Sequence, residues 1–300
     1  NAEPRTPNPE PRTPNPERSL CQFCGSPVTL CQPRKIHVTA VPAGPYPTCD
    51  MAHIREIRPQ AREIKFVIDA NLAGPIRQWA RAHLDADVHG GGPHGDEYRT
   101  ASVYFDTDAF DVFHRRGSFG RSKYRIRRYG ADETVFLERK MRQPALLAKR
   151  RTTLPLAALP QIIDSEAAHD SPAYWFQRRV TARRLRPVCE VAYSRMARSV
   201  LRDGEPVRLT LDADLRARPA SDTQFPDEAS LPALPAMPGR LILELKYRGE
   251  TPAVFRQLVE EFALTPQSAS KYRLGVAAIG KAVATEAVNG AASGAEAFYA

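Results

Sequence analysis

Four cationic side chains, Lys123, Arg125, Arg127 and Arg128, fall within six positions of the stretch SKYRIRRYG, interleaved with Tyr124, Ile126 and Tyr129. Alternate residues of a β-strand share a face, so Lys123, Arg125 and Arg127 line one side while Tyr124, Ile126 and Arg128 line the other. One such ladder is ordinarily a solvated outer face. Its meaning changes when other segments repeat it. REIKFVI (62–68) sets Glu63 and Lys65 against Ile64 and Phe66, and ETVFLERK (133–140) sets Glu138 and Lys140 against Val135 and Leu137. RLILELKY (240–247) sets Glu244 and Lys246 against Leu241, Leu243, Leu245 and Tyr247. PVRLTLDADL (206–215) opposes Arg208, Thr210 and Asp212 to Val207, Leu209 and Leu211, while Tyr193 and Arg195 share a face of VCEVAYSR. AKRRTTLP (148–155) adds Lys149 and Arg151.

Arginine and lysine hold phosphate oxygens, and glutamate holds the divalent metal that accompanies them. An antiparallel sheet with one polar face is ordinary when that face is wet. If such a sheet closes into a barrel, one set of side chains must point inward. The expected fold is therefore α+β: a closed antiparallel β-barrel with a charged lumen and helices packed outside. Charge enclosed in that way is costly unless hydrated, paired or matched by a ligand. A polyanion carrying a divalent metal supplies the match.

The elements that would position these residues are legible from periodicity. Strands are expected at 62–68, 99–107, 122–130, 133–140, 148–155, 186–200 (with a hairpin edge), 206–215 and 240–247. AGPIRQWARAHL (73–84) reads as a helix with Pro75 near its first turn, and Ser171-Pro172 opens another through AYWFQRRVTARRL. Thr251-Pro252 opens a helix over 253–264, and SASKYRLGVAAIGKAVA (268–284) forms the last. The glycine-rich HGGGPHGDE is a loop, and without a Gly-Lys-Ser/Thr ending it is no P-loop.

Composition bounds the partners. The 300 residues are 42% hydrophobic with a net charge of +9 and an isoelectric point near 9.5, enough for a sizeable core and suited to a polyanionic partner. No stretch approaches the roughly 20 apolar residues that span a bilayer, and the N-terminus lacks a signal-peptide core, so a soluble, cytoplasmic chain is expected. EPRTPNP occurs twice unchanged (3–9 and 10–16), and eleven of 27 prolines precede position 50. Such a segment cannot bury a core. The expected organisation is a disordered proline-rich tail over 1–55, one domain over 56–284 and a flexible tail over 285–300. Cys21, Cys24, Cys31 and His37 can be drawn as a zinc site, but the set lacks the paired spacing of one. Cys189 reads as a small core residue. Asp106, Asp111 and Asp212 read as turn, cap or pairing residues, and Tyr104, Tyr193 and Tyr272 as lumen packing.

The ordered set REIKF, SVYFDT, KYRIRRYG, VFLERK, VAYSRMA, VRLTLDADL, LILELKY and SKYRLG resembles the VTC domain over about residues 60–282. That domain is the polyphosphate polymerase branch of the triphosphate tunnel metalloenzymes, with a CYTH-like fold. The resemblance implies a β-tunnel that moves the γ-phosphoryl group of ATP onto inorganic polyphosphate with Mn²⁺ or Mg²⁺. It implies phosphate contacts from Lys65, Arg125, Arg127, Lys140, Arg195, Arg208 and Lys271, a metal at Glu244, and a further lumen cation at Lys149 or Arg151. Lys123 and Lys246 join the expected phosphate set, and Glu63 and Glu138 the metal set, through the repeated strand pattern. The duller account pairs each of these glutamates with neighbouring lysines on a wet surface.

One departure discriminates within the superfamily. Triphosphatases and cyclases begin Glu-x-Glu-x-Lys, whereas Ala61 stands at the first glutamate here. That loss fits the polymerase branch and weakens the hydrolase reading. The expected function is thus a metal-dependent phosphotransferase using ATP and inorganic polyphosphate, with a triphosphatase of the same fold or a non-catalytic polyphosphate-binding module as alternatives. Direct nucleic-acid binding is not expected, because aromatics and cations of KYRIRRYG fall mostly on opposite faces. A membrane-embedded partner that exports the product stays open, as does the oligomeric state.

Overall fold

The computed structural model describes residues 61–87, 90–142, 147–160, 169–202, 204–226 and 233–280. The expected tails, with the four N-terminal cysteines and His37, lie outside those residues. The strands are β1 (Ala61–Asp69), β2 (Asp85–Ala86), β3 (Glu97–Asp106), β4 (Ser122–Tyr129), β5 (Thr134–Arg142), β6 (Leu147–Pro155), β7 (Arg186–Arg202), β8 (Glu205–Pro219), β9 (Leu234–Pro235) and β10 (Arg240–Arg248). The helices are α1 (Ala70–His83), α2 (Tyr174–Ala182), α3 (Ala253–Glu261) and α4 (Lys271–Ala278).

All strand pairs are antiparallel, in the order β1-β10-β8-β7-β3-β4-β5-β6, with β2 added to β7 and β9 to β8. The end strands β1 and β6 share no backbone ladder, so the closed barrel expected from the sequence is not formed among the described residues. The sheet is curled but open. Twist and bulges set how far its ends approach, and register shifts occur at Tyr104/Phe105 and Ala192/Ser194. The curl brings the ends within side-chain reach: the Lys140 ammonium on β5 donates to both carboxylate oxygens of Glu63 on β1, at 3.1 and 3.3 Å. Side chains span the seam where backbone does not. β7, for which a hairpin edge was expected, is an interior strand of 17 residues between β3 and β8.

The outer face supplies two cores. Phe66, Trp79, Leu209, Leu243, Phe255 and Leu258 pack where α1 and α3 cover the sheet, and Val103, Phe105, Ile126, Leu137, Trp175 and Phe176 pack beneath α2. Each such side chain contributes about 1.5–3 kcal/mol on burial, which fixes the strand faces and leaves the polar set inward. Helix α1 begins at Ala70, immediately after β1, three residues before the expected start, so Pro75 lies inside it.

The fourth helix departs from the expectation that all helices pack outside. A Cβ added at Gly275 of α4 would meet Val191 Cγ2 at 2.5 Å and Cys189 Sγ at 3.0 Å. Val191 is in register with Ser102, whose partner on the other side is Arg127, so these residues share the inner face. Helix α4 is therefore seated against the inner wall at one end. Asp106 pins it: its carboxylate accepts from the backbone N–H groups of Thr107, Val112 and Phe113 and from the Tyr272 hydroxyl.

Candidate functional site

Ten of the expected residues line one cleft of about 640 Å³, open mouth included: Glu63, Lys65, Lys123, Arg125, Arg127, Lys140, Arg195, Glu244, Lys246 and Lys271. Tyr104, Tyr193, Ser270 and Tyr272 complete the polar wall. Alternation on β1, β4, β5, β7 and β10 points these side chains inward, and α4 delivers Ser270 and Lys271 from the end. Ser270 N-caps α4 by accepting from the Arg273 backbone N–H, and its hydroxyl also accepts from Lys123 Nζ at 2.8 Å. A reading of strand faces could not find Ser270, because its role depends on where the helix docks.

The carboxylates fall into three settings. Glu244 lies beside Lys271 (2.9 Å), Lys246 (3.1 Å) and Lys65 (3.3 Å), and these ammonium groups hold its carboxyl well below the usual range against the opposing effect of burial. Glu63 shares Lys65 (3.2 Å) and Lys246 (3.8 Å) with it. Burial and the Glu244 charge push the Glu63 carboxyl up, but Lys246, Lys140 and Lys65 together bring it down. Asp212, fully buried, takes a two-point contact from Arg195 (Nε 2.6 Å, Nη2 2.8 Å) and an ion pair from Lys271 at 2.5 Å. It is a pairing residue, as expected.

Glu138, expected with the metal carboxylates, sits apart from them. It accepts from Arg125 Nε (2.6 Å) and Arg151 Nε (2.7 Å) and pairs with Lys149 Nζ (2.7 Å), with its side chain only 2% exposed. Register explains this, since Arg125, Glu138 and Arg151 stand abreast on β4, β5 and β6. Lys149 and Arg151 are thus drawn to Glu138 rather than to the cleft lining. Arg208 also lies outside that lining, bonded to the Tyr98 hydroxyl at 3.1 Å and paired with Asp87 at 3.0 Å.

Among the described residues, two cations of the cleft have no carboxylate within ion-pair distance. Arg127 is 4% exposed; its guanidinium donates to the hydroxyls of Ser102 and Tyr193, both at 3.0 Å, lies beside the Tyr129 hydroxyl and feels the Glu138 charge from beyond ion-pair distance. Lys123 donates to the Ser270 hydroxyl, and burial, followed by the nearby Lys65, Lys140, Arg115 and Arg273 charges, brings its ammonium down to about 7. Burial likewise brings the Lys149 ammonium down to about 8, despite Glu138. A cleft with eight cationic side chains and two carboxylates in its lining is built for an anion of high charge.

Among the described residues no three His, Cys, Asp or Glu are grouped to hold a metal by themselves. Magnesium-like ions need only one or two carboxylates when substrate phosphates supply the remaining oxygens. Glu63 and Glu244, which flank the same two lysines, fit that requirement, and Glu138 does not.

The VTC domain profile matches residues 60–279, which is most of the chain. The chain belongs to the VTC domain family. Solved structures similar to this VTC domain protein include one described as a candidate adenylate cyclase from Bacillus halodurans, at 16% identity and a TM-score of 0.42, covering 69% of this chain and 92% of that one. A Hippeastrum protein described as a candidate adenylyl cyclase with a dominant triphosphatase activity gives 13% identity and a TM-score of 0.42, covering 73% and 96%. The PH1819 protein of Pyrococcus horikoshii gives 14% identity and a TM-score of 0.38, covering 71% and 97%. No match to a curated protein was found. Among the described residues no helix is long and apolar enough to cross a membrane.

Proposed function

We propose that this VTC domain protein is a polyphosphate polymerase, which moves the γ-phosphoryl group of ATP onto the end of an inorganic polyphosphate chain. The observation that carries the reading is Arg127, a buried guanidinium in the cleft wall that is held by neutral hydroxyls and has no carboxylate at ion-pair distance among the described residues. A charge in that position is stabilised when a phosphate arrives, and otherwise costs several kcal/mol.

A terminal phosphate oxygen of the chain attacks the γ-phosphorus in line, the bond to the β–γ bridging oxygen breaks, and ADP leaves with that electron pair. Such a transfer asks the protein for positioning and charge neutralisation more than covalent chemistry. Arg125, Arg127 and Arg195 neutralise the transferring group, with Lys65, Lys140, Lys246 and Lys271 along the neighbouring phosphates. Two residues act through others: Glu138 orients Arg125, and Asp212 orients Arg195. Lys149 and Arg151 add positive charge around Glu138, and Arg208 adds it beside Asp87 and Tyr98, outside the cleft lining. Glu63 and Glu244 would hold a manganese or magnesium ion, which would supply further charge neutralisation for the bound triphosphate.

Membership of the VTC family and the alanine at position 61 favour a chain over water as acceptor. The deciding experiment incubates the protein with ATP and Mn²⁺ and separates the products on a gel. Long chains support the polymerase. Orthophosphate alone identifies a triphosphatase of the same fold, and unchanged ATP identifies a binding module.

A further inference from the structure

The inner wall changes character away from α4. Lys123 touches Ser270 at the α4 end, and six residues along the same strand face, about 20 Å at strand rise, β4 reaches Tyr129. Beside it, β3 runs from Tyr104, which packs on Tyr272 of α4, to Tyr98, also six residues away. Tyr98 and Tyr129 meet edge to face with centroids 5.7 Å apart, and Tyr129 meets Phe136 in the same way at 5.3 Å. Phe136 is in register with Arg127, so its ring faces the cleft side of the sheet.

These three residues are partly exposed, lie beyond the cleft's own lining, and belong to neither core. Arginines frame the group: Arg151 Cζ lies 4.5 Å from the Phe136 centroid, and its Nη2 donates to the Tyr129 hydroxyl at 3.1 Å. Arg208 donates to the Tyr98 hydroxyl at the same distance. Polyphosphate has no surface that gains from an aromatic ring. A planar base does, because stacking on aromatic and guanidinium faces is tolerant of base identity and worth having with any of them.

Resting on the donor reading above, we propose that Tyr98, Tyr129 and Phe136 form a nucleobase platform for the donor nucleotide. The donor then enters triphosphate first, its base held at this rim and its γ-phosphate directed toward Arg125 and Lys123. Tyr129 stands two residues from Arg127 and four from Arg125, roughly 7 and 13 Å along the strand. That span suits a ribose followed by an extended triphosphate. Selection works by stacking rather than by base-edge hydrogen bonds, so purine nucleotides are preferred and discrimination between purines is weak.

Isothermal titration with ATP and with inorganic tripolyphosphate as separate probes tests the assignment. Phe136→Leu, which keeps an apolar side chain and removes the π-face, should weaken ATP about tenfold and leave tripolyphosphate unchanged. Equal losses for both probes, or none for ATP, would overturn it. The unaltered protein gives an independent reading, should the variant not fold: ATP should bind more tightly than UTP, and equal affinities overturn the platform while the phosphate tunnel stands. Failure of both ATP and tripolyphosphate to bind would sink the donor reading, and the platform with it.

Discussion

Arg127→Met separates the cost of the tunnel from its use. Methionine replaces the flexible stem of the arginine without its charge. The loss on folding is two hydrogen bonds to neutral hydroxyls, Ser102 and Tyr193, each at 3.0 Å and each worth about 1 kcal/mol net. The gain is relief from burying a guanidinium that is 4% exposed and has no carboxylate at ion-pair distance among the described residues, Glu138 acting on it only from farther away, against an effective penalty of several kcal/mol per buried ion. The balance favours the variant by on the order of 2 kcal/mol, or roughly 5 °C in Tm for a domain of this size. Binding moves the other way. Loss of charge-assisted contacts to phosphate, about 1.5–3 kcal/mol each, should weaken ATP and tripolyphosphate by at least about tenfold. Thermal melts with and without tripolyphosphate read both effects. A variant that melts several degrees lower while keeping the full ligand-induced rise would refute the reasoning, since Arg127 would then be a structural contact and not a phosphate receptor.

Three further perturbations follow from the same geometry. Glu244→Gln leaves Lys271, Lys65 and Lys246 less compensated, so metal-dependent turnover should vanish and stability fall by about 3 kcal/mol; unchanged turnover in the product gel would remove Glu244 from the proposed metal pair. Gly275→Ala places a methyl 2.5 Å from Val191 Cγ2 and should cost about 1–3 kcal/mol in urea denaturation while displacing Lys271; an unchanged midpoint would mean α4 is not tightly seated. Lys123, at about 7 when folded against an ordinary 10.5, leaves the unfolded chain with more protons between those values, so its contribution makes stability rise with pH across that window. A phosphate beside it restores the ammonium, so binding at pH 8 should take up a proton; calorimetry in buffers of different ionisation heat should show the uptake fall in Lys123→Met, and identical uptake in both proteins would contradict the assignment.

Strand faces were readable from the sequence because period-two alternation is strict where one face is buried. Phe66, Ile126, Leu137, Leu209 and Leu243 went outward into the cores, and the charged partners of each strand went inward. Partner choice was not readable. Glu63, Glu138 and Glu244 sit in the same Glu-x-Lys pattern, yet only register decides that Glu138 stands between Arg125 and Arg151 while Lys65 stands opposite Glu244. Arg208 carried the right face, but Asp87, placed by the short strand β2 that precedes it, engages Arg208. Sheet closure depends on accumulated twist and bulges across eight strands, a quantity no single segment encodes. The inward seating of α4 hangs on Gly275, which lets the helix approach Val191 and Cys189; in sequence it is one glycine in a helical run.

The most direct test of the central claim is a crystal soaked with tripolyphosphate and Mn²⁺. The account predicts a chain of phosphate density on the inner wall, in contact with Arg125, Arg127 and Arg195, with metal density at Glu63 and Glu244. Phosphate bound only on the outer surface, with Arg127 still held by Ser102 and Tyr193 and touching no phosphate, would contradict it.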